Sequence, residues 1–149
     1  TLGIDGGASA TKWALRYSDG SYKEGTAEAI DGHIYRPASK ARLENVLRQI
    51  RYECGSVEIN SIVAGITGLG GESEKDVHNL FSTIFPSSKI ALMTDIVLGY
   101  RANLNLGEGI FLYAGTGSIA IHLKESGEMI RVGGWGYLLG DEEIGRAHV

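Results

Sequence analysis

Apolar positions change their spacing along the chain, and each change marks an element. Leu2 to Ile4 form a short apolar run that stops at Asp5-Gly6-Gly7, a strand running into a turn. Trp13, Leu15 and Tyr17 then alternate with Lys12, Ala14 and Arg16, the period of a half-buried strand. Asp19-Gly20 is a two-residue hairpin signal, and Ser21 to Ile30 returns as a third strand. From Pro37 the period lengthens. Leu43, Val46, Leu47 and Ile50 fall on one helical face, with Arg42, Glu44, Arg48 and Arg51 on the solvated one. Pro37 suits the first turn of that helix and Gly55 the position just past its end.

Ile59 to Ile66 predicts a buried strand entering the glycine cluster GITGLGG. Val77, Leu80, Phe81 and Ile84 make a second helical stripe, closed by Pro86. Lys89 to Met93 is a short strand ending at Thr94-Asp95, and Ile96 to Leu104 predicts a third helix. The order β-β-β-α-β-α-β-α predicts an α/β fold, a mixed five-stranded sheet with flanking helices. After Leu106-Gly107-Glu108-Gly109 the opening layout returns. Ile110 to Ala114, Ile119 to Leu123 and Glu128 to Val132 are strands joined by Gly115-Thr116-Gly117-Ser118 and Ser126-Gly127. This predicts a first lobe over 1–107 and, over 108–149, the opening strands of a second lobe built like it.

Composition narrows the function. Lys+Arg 14 against Asp+Glu 18 gives a formal net charge of -4, which disfavours a nucleic-acid binder and its basic surface. The one cysteine, Cys54, reads as a small buried hydrophobe. The residues show no membrane-spanning run and no leader-like start, so no membrane partner and a cytoplasmic location are expected. His33, His78, His122 and His148 lack metal-ligand spacing and read as ordinary surface or core residues. What stands out is 22 glycines against 2 prolines, because the glycines cluster.

A strand that ends in glycines exposes backbone N–H groups that suit phosphate oxygens. The turn after Asp5 adds hydroxyls at Ser9 and Thr11, and Gly115 to Ser118 repeats the device. Asp5 beside such a turn suits a Mg²⁺ ion, held directly or through water. Either turn alone also reads as a plain hairpin. Gly115-x-Gly117-x-x-Ala120 fits a dinucleotide fingerprint, but a strand follows where a helix is required, and no P-loop is present. Asp95, between a strand and a helix, suits either a general base for phosphoryl transfer or a helix cap. Gly133 to Glu142, GGWGYLLGDE, suits a polar pocket with one apolar wall, or a loop around a buried Trp135.

DGGASATK, MTD, GTGS and GGWGYLLGDE, in that order, resemble the N-acetylglucosamine kinase branch of the BadF/BadG/BcrA/BcrD ATPase family, within the actin, Hsp70 and sugar kinase superfamily. The resemblance implies ribonuclease-H-like lobes closing on Mg-ATP and an amino sugar or hexose, and hence an ATP-dependent sugar kinase. By carry-over, Gly6, Gly7, Ser9, Thr11 and Lys12 belong to the first phosphate segment, and Thr116 and Gly117 to the second. Asp95 is the implied base for the sugar hydroxyl, and Gly134, Trp135 and Asp141 shape or contact the sugar. The sequence departs from the family at Ala10, where a basic residue is frequent, with Lys12 two places on. It departs again at Glu143-Ile144, and at Gly32-His33-Ile34 in place of an Asn-His-aromatic run. The family's adenosine-binding segment lies downstream of Val149. The chain is therefore expected to be a fragment or a natural truncation, with an exposed edge that favours a homodimer. The sister activity, an ATPase that activates a CoA reductase or dehydratase through an iron–sulfur cluster, needs cysteines that only Cys54 could supply. A non-catalytic sugar sensor is the third reading.

Overall fold

The computed structural model describes residues 1–114 and 118–134. The elements run β1 (Leu2–Gly6), β2 (Thr11–Arg16), β3 (Tyr22–Ala27), α1 (Pro37–Glu53), β4 (Ser61–Ile66), α2 (Ser73–Ile84), β5 (Lys89–Met93) and α3 (Asp95–Asn103). Their order in the sheet is β3-β2-β1-β4-β5. β1 lies antiparallel to β2 and parallel to β4, which is parallel to β5. The connections explain the directions. Short turns can only reverse a strand, whereas α1 and α2 carry the chain back so that β4 and β5 start from the same end as β1.

Strand alternation sends Leu2, Ile4, Trp13, Leu15, Ile62, Ala64 and Ile66 into one core. There they meet Leu43, Val46, Leu47 and Ile50 of α1 and Val77 and Phe81 of α2, the helical stripes read from the sequence. Each large side chain removed from water contributes about 1.5–3 kcal/mol. Cys54 is part of this core at 3% exposure. On the solvated face of α1, Arg48 pairs with Glu44 at 2.7 Å, and Gly55 (φ 69°) ends the helix as its position implied.

The third strand is shorter than the predicted Ser21 to Ile30. β3 stops at Ala27 because Ile30 leaves the ladder, donating its N–H to the Gly7 carbonyl at 3.3 Å and burying its side chain against Gly6. A Cβ on Gly6 would sit 2.7 Å from the Ile30 side chain, so the glycine makes the space that Ile30 fills.

The chain divides into two compact units, Thr1 to Leu98 and residue 99 onward, and the division falls within α3. In the second unit β6 (Phe111–Ala114), β7 (Ser118–Leu123) and β8 (Met129–Gly133) form an antiparallel sheet in that order, the layout of β1 to β3 repeated. Tyr100 is fully buried and donates its hydroxyl to the Glu108 carbonyl, which holds the loop before β6. Among the described residues no helix is long and apolar enough to cross a membrane.

Candidate functional site

Strands β1, β4 and β5 end on the same edge of the sheet, and Gly65 is the residue that brings their chemistry together. It stands in register with Asp5 on one side and Met93 on the other. Residues in register on parallel strands share a face, so Asp5 and Gly65 face the same way. A Cβ built on Gly65 would lie 2.6 Å from Leu98 Cβ and 3.1 Å from Asp95 Cα. The missing side chain is therefore the space into which the first turn of α3 settles. With strands about 4.8 Å apart, the α-carbons of Asp5 and Asp95 lie within about 10 Å of each other. Two carboxylates far apart in sequence thus share one strand-end edge.

Asp5 is exposed at the end of β1, opposite exposed Lys12 in the β1–β2 ladder. The turn between them is tight. Gly7 donates its N–H to the Ala10 carbonyl at 3.1 Å, and the Gly6 carbonyl accepts the Thr67 N–H at 2.9 Å. Gly6 and Gly7 therefore shape the turn. The amides of Ala8, Ser9 and Ala10 carry no backbone partner among the described residues, and these three residues are exposed. Thr11 differs from its expected part. It is fully buried, and its hydroxyl is spent on the Glu28 carbonyl at 2.7 Å, so it fastens β2 to the strand end beyond β3. Ser9, the three free amides and Lys12 are the donors left to an anion.

Asp95 opens α3 and accepts the Ile96 N–H on Oδ1 at 2.9 Å. That contact ties the carboxylate to the first turn of the helix. Among the described residues the second carboxylate oxygen carries no hydrogen bond, so the contact leaves it open.

A groove of about 570 Å³ adjoins the loop after β4, lined by His33, Ile34, Tyr35, Gly68, Glu72 and Asp76. Its wall is built on Asp31. One carboxylate oxygen accepts the His33 backbone N–H at 2.9 Å and faces His33 Nδ1 at 3.2 Å, while the other accepts the Ser39 hydroxyl at 3.0 Å. Gly68 (φ 68°) lets the His33 ring lie directly against the backbone. Spacing alone gave His33 no role. The readable signal was local: an aspartate two residues before it, poised for an Asx turn.

Burial pushes the Asp31 carboxyl up, but the hydrogen bonds from His33 and Ser39 outweigh it and leave the group below its ordinary value of 3.8. A depressed carboxyl stabilises the fold fully above its unfolded value, and that stability is lost as pH falls through the folded one. Asp31→Asn should therefore cost about 1 kcal/mol at pH 7, and the difference from the natural protein should shrink below pH 4. Urea unfolding at pH 7 and at pH 3 checks this. A penalty equal at both values would mean that the charge contributes nothing.

Gly134 belongs to the second unit. It donates its N–H to the Ser118 carbonyl at 2.7 Å, and its carbonyl accepts from the Arg131 guanidinium. Its backbone is thereby used within the unit. Gly115, Thr116, Gly117, Trp135 and Asp141 lie outside the described residues. Among the described residues no three potential metal ligands cluster.

The chain is similar to known proteins along nearly all its length. An N-acetylmuramic acid/N-acetylglucosamine kinase of Clostridium acetobutylicum is 28% identical over 152 residues, covering 97% of this chain and 49% of that protein. A Chromobacterium violaceum structure, a candidate N-acetylglucosamine kinase, is 26% identical with TM-score 0.62, covering 94% of this chain and 50% of the other. A Porphyromonas gingivalis structure described in the same terms shares 20% identity and TM-score 0.70, covering 94% of this chain and 50% of its own. The ethanolamine utilization protein EutJ of Carboxydothermus hydrogenoformans, at 14% identity and TM-score 0.58, shares the actin-like fold, with 93% of this chain and 53% of EutJ covered. The chain thus spans about half the length of the relatives it matches. With a sequence match over residues 2–148 and this strand-end edge, the chain belongs to the BadF/BadG/BcrA/BcrD ATPase family.

Proposed function

We propose that the chain is the phosphate-binding and base-bearing half of an ATP-dependent kinase acting on a hydroxyl of an amino sugar or hexose. The observation that carries this reading is the fit of α3 over Gly65, which sets Asp95 beside the strand end that bears Asp5. Ser9 and the amides of Ala8 to Ala10 bind the nucleotide's phosphate oxygens, with Lys12 adding positive charge beside them. Asp5 is a single exposed carboxylate, which suits an ion bound mainly by phosphates and water rather than a protein cage. Mg²⁺ arriving with ATP would supply charge neutralisation at the phosphoryl oxygens, and Asp5 would hold it directly or through water.

Asp95 accepts the proton of the sugar hydroxyl as that oxygen bonds to the γ-phosphorus. The bond from phosphorus to the bridging oxygen breaks and ADP leaves, and the proton passes from Asp95 to water. Tyr35, 70% exposed beside the groove, offers a flat apolar face to a sugar ring. Thr116 and Gly117 would belong to a second phosphate segment, and Gly134, Trp135 and Asp141 would shape or contact the sugar. The relatives' N-acetylglucosamine and N-acetylmuramic acid activities support an amino sugar as acceptor.

The sister reading, an activator ATPase with a shared iron–sulfur cluster, is weaker. Cys54 is the one cysteine and lies in the core, and burial holds its thiol above its ordinary value, away from the thiolate a cluster needs. ADP release by the natural polypeptide, measured with glucosamine, N-acetylglucosamine, N-acetylmuramic acid and glucose, tests the proposal. At least a tenfold stimulation by one of them is expected. Sugar-independent hydrolysis by an iron-bearing protein would favour the activator, and sugar binding without ADP would favour a sensor.

A further inference from the structure

The start of α3 holds two acceptors for one amide. Thr94 occupies the cap position, its carbonyl accepting the Leu98 N–H at 3.0 Å. A threonine there ordinarily turns its hydroxyl oxygen onto the N–H of the second or third helical residue. Ile96, the second residue of α3, donates instead to Asp95 Oδ1 at 2.9 Å. Thr94 Oγ1 is shielded from solvent and has no hydrogen-bond partner among the described residues. A buried hydroxyl without a partner is costly, and native structures rarely keep one without a use. The spare acceptor stands next in sequence to the carboxylate assigned as base.

We propose that Thr94 is a positioning residue. When Asp95 turns its carboxylate toward the acceptor alcohol, the Ile96 N–H passes from Asp95 Oδ1 to Thr94 Oγ1. The base then leaves the helix end without stranding a half-buried donor, and the helix end stays capped in both arrangements. A second acceptor for the same amide lowers the cost of releasing the carboxylate, so Asp95 is held in place yet can turn. The kinetic part of this proposal rests on Asp95 acting as the base. The exchange itself does not.

A stability cycle on the natural polypeptide, without ligands, tests the exchange. In Asp95→Ala the Thr94 oxygen takes the amide, and in Thr94→Val the Asp95 carboxylate keeps it, so each single change should move Tm by less than about 1 °C. Thr94→Val with Asp95→Ala leaves the amide no side-chain acceptor, and Tm should fall by about 2–4 °C, more than the two single changes together. Additive shifts would overturn the exchange whatever the protein catalyses. In the kinase assay, Thr94→Val should lower kcat about 5- to 20-fold with the sugar KM within twofold, and Thr94→Ser should restore it. Unchanged kcat in Thr94→Val would overturn the positioning role. A natural protein that turns over no sugar would refute the kinase reading, and the stability cycle would still decide the exchange.

Discussion

Asp95→Asn should lower sugar-dependent ADP release by about 10²–10⁴-fold while leaving nucleotide affinity within about twofold. The asparagine is chosen for what it keeps. Its side-chain oxygen can still accept the Ile96 N–H that Asp95 Oδ1 accepts at 2.9 Å, so the first turn of α3 stays capped and the sheet edge stays in place. It loses the negative charge and, with it, the capacity to take a proton. The proposed phosphate donors lie elsewhere, on the turn between β1 and β2, so ATP should bind as before. The expected loss corresponds to roughly 3–5 kcal/mol of barrier, far more than a cap contributes. If Asp95 were only a cap, Asp95→Asn would leave turnover unchanged. Turnover and nucleotide binding measured on the same preparation separate the two roles, and retained turnover would remove Asp95 from the chemistry.

The elements were legible because each carries its period plainly. β5 runs from Lys89 to Met93 as the apolar run does, and α1 begins at Pro37 and ends short of Gly55 as their chemistry requires. Local pattern failed where tertiary packing takes over. Ile30 looks like the last residue of a strand, yet it turns under Gly6, because only the folded sheet offers a gap of that shape. The same limit applies to the site. Asp5 and Asp95 were recognisable as strand-end carboxylates, but their common edge depends on the register Asp5–Gly65–Met93, which no local window contains. Thr11 shows how burial redirects a side chain. A hydroxyl beside a glycine turn suits a phosphate by type, yet strand alternation sends it inward to the Glu28 carbonyl. The pairing of Asp31 with His33 went unread because it is a turn-scale hydrogen bond, while the groove that His33 lines is completed by residues from the start of α2.

Gly65→Val should have the largest structural effect of any single change at this edge. The added Cβ would begin 2.6 Å from Leu98 Cβ, 2.8 Å from Leu98 Cδ2 and 3.1 Å from Asp95 Cα, and the two methyl groups would reach further. Rotamer changes relieve only the Cδ2 contact, because the other two atoms move with the helix. Nor can β4 retreat. It is paired on both sides, with β1 and with β5, so a shift of Gly65 would break two ladders. The first turn of α3 must lift instead. Overpacking of this kind typically costs about 1–3 kcal/mol, and the upper end is expected where backbone atoms collide. For a chain of this size that is a fall in Tm of about 4–9 °C. The lifted turn carries Asp95, and a displacement near 1 Å at a reacting group can cost about 100-fold in rate. Gly3→Ala supplies the comparison. It lies on the same strand as Asp5, and its new Cβ would meet only the Ala14 carbonyl at 3.8 Å, an ordinary contact, so stability and rate should stay close to those of the natural protein. Unfolding and turnover of the two variants together isolate the cause. If Gly65→Val lowered Tm but left kcat intact, α3 could move without carrying the reacting group, and Gly65 would be a packing residue alone.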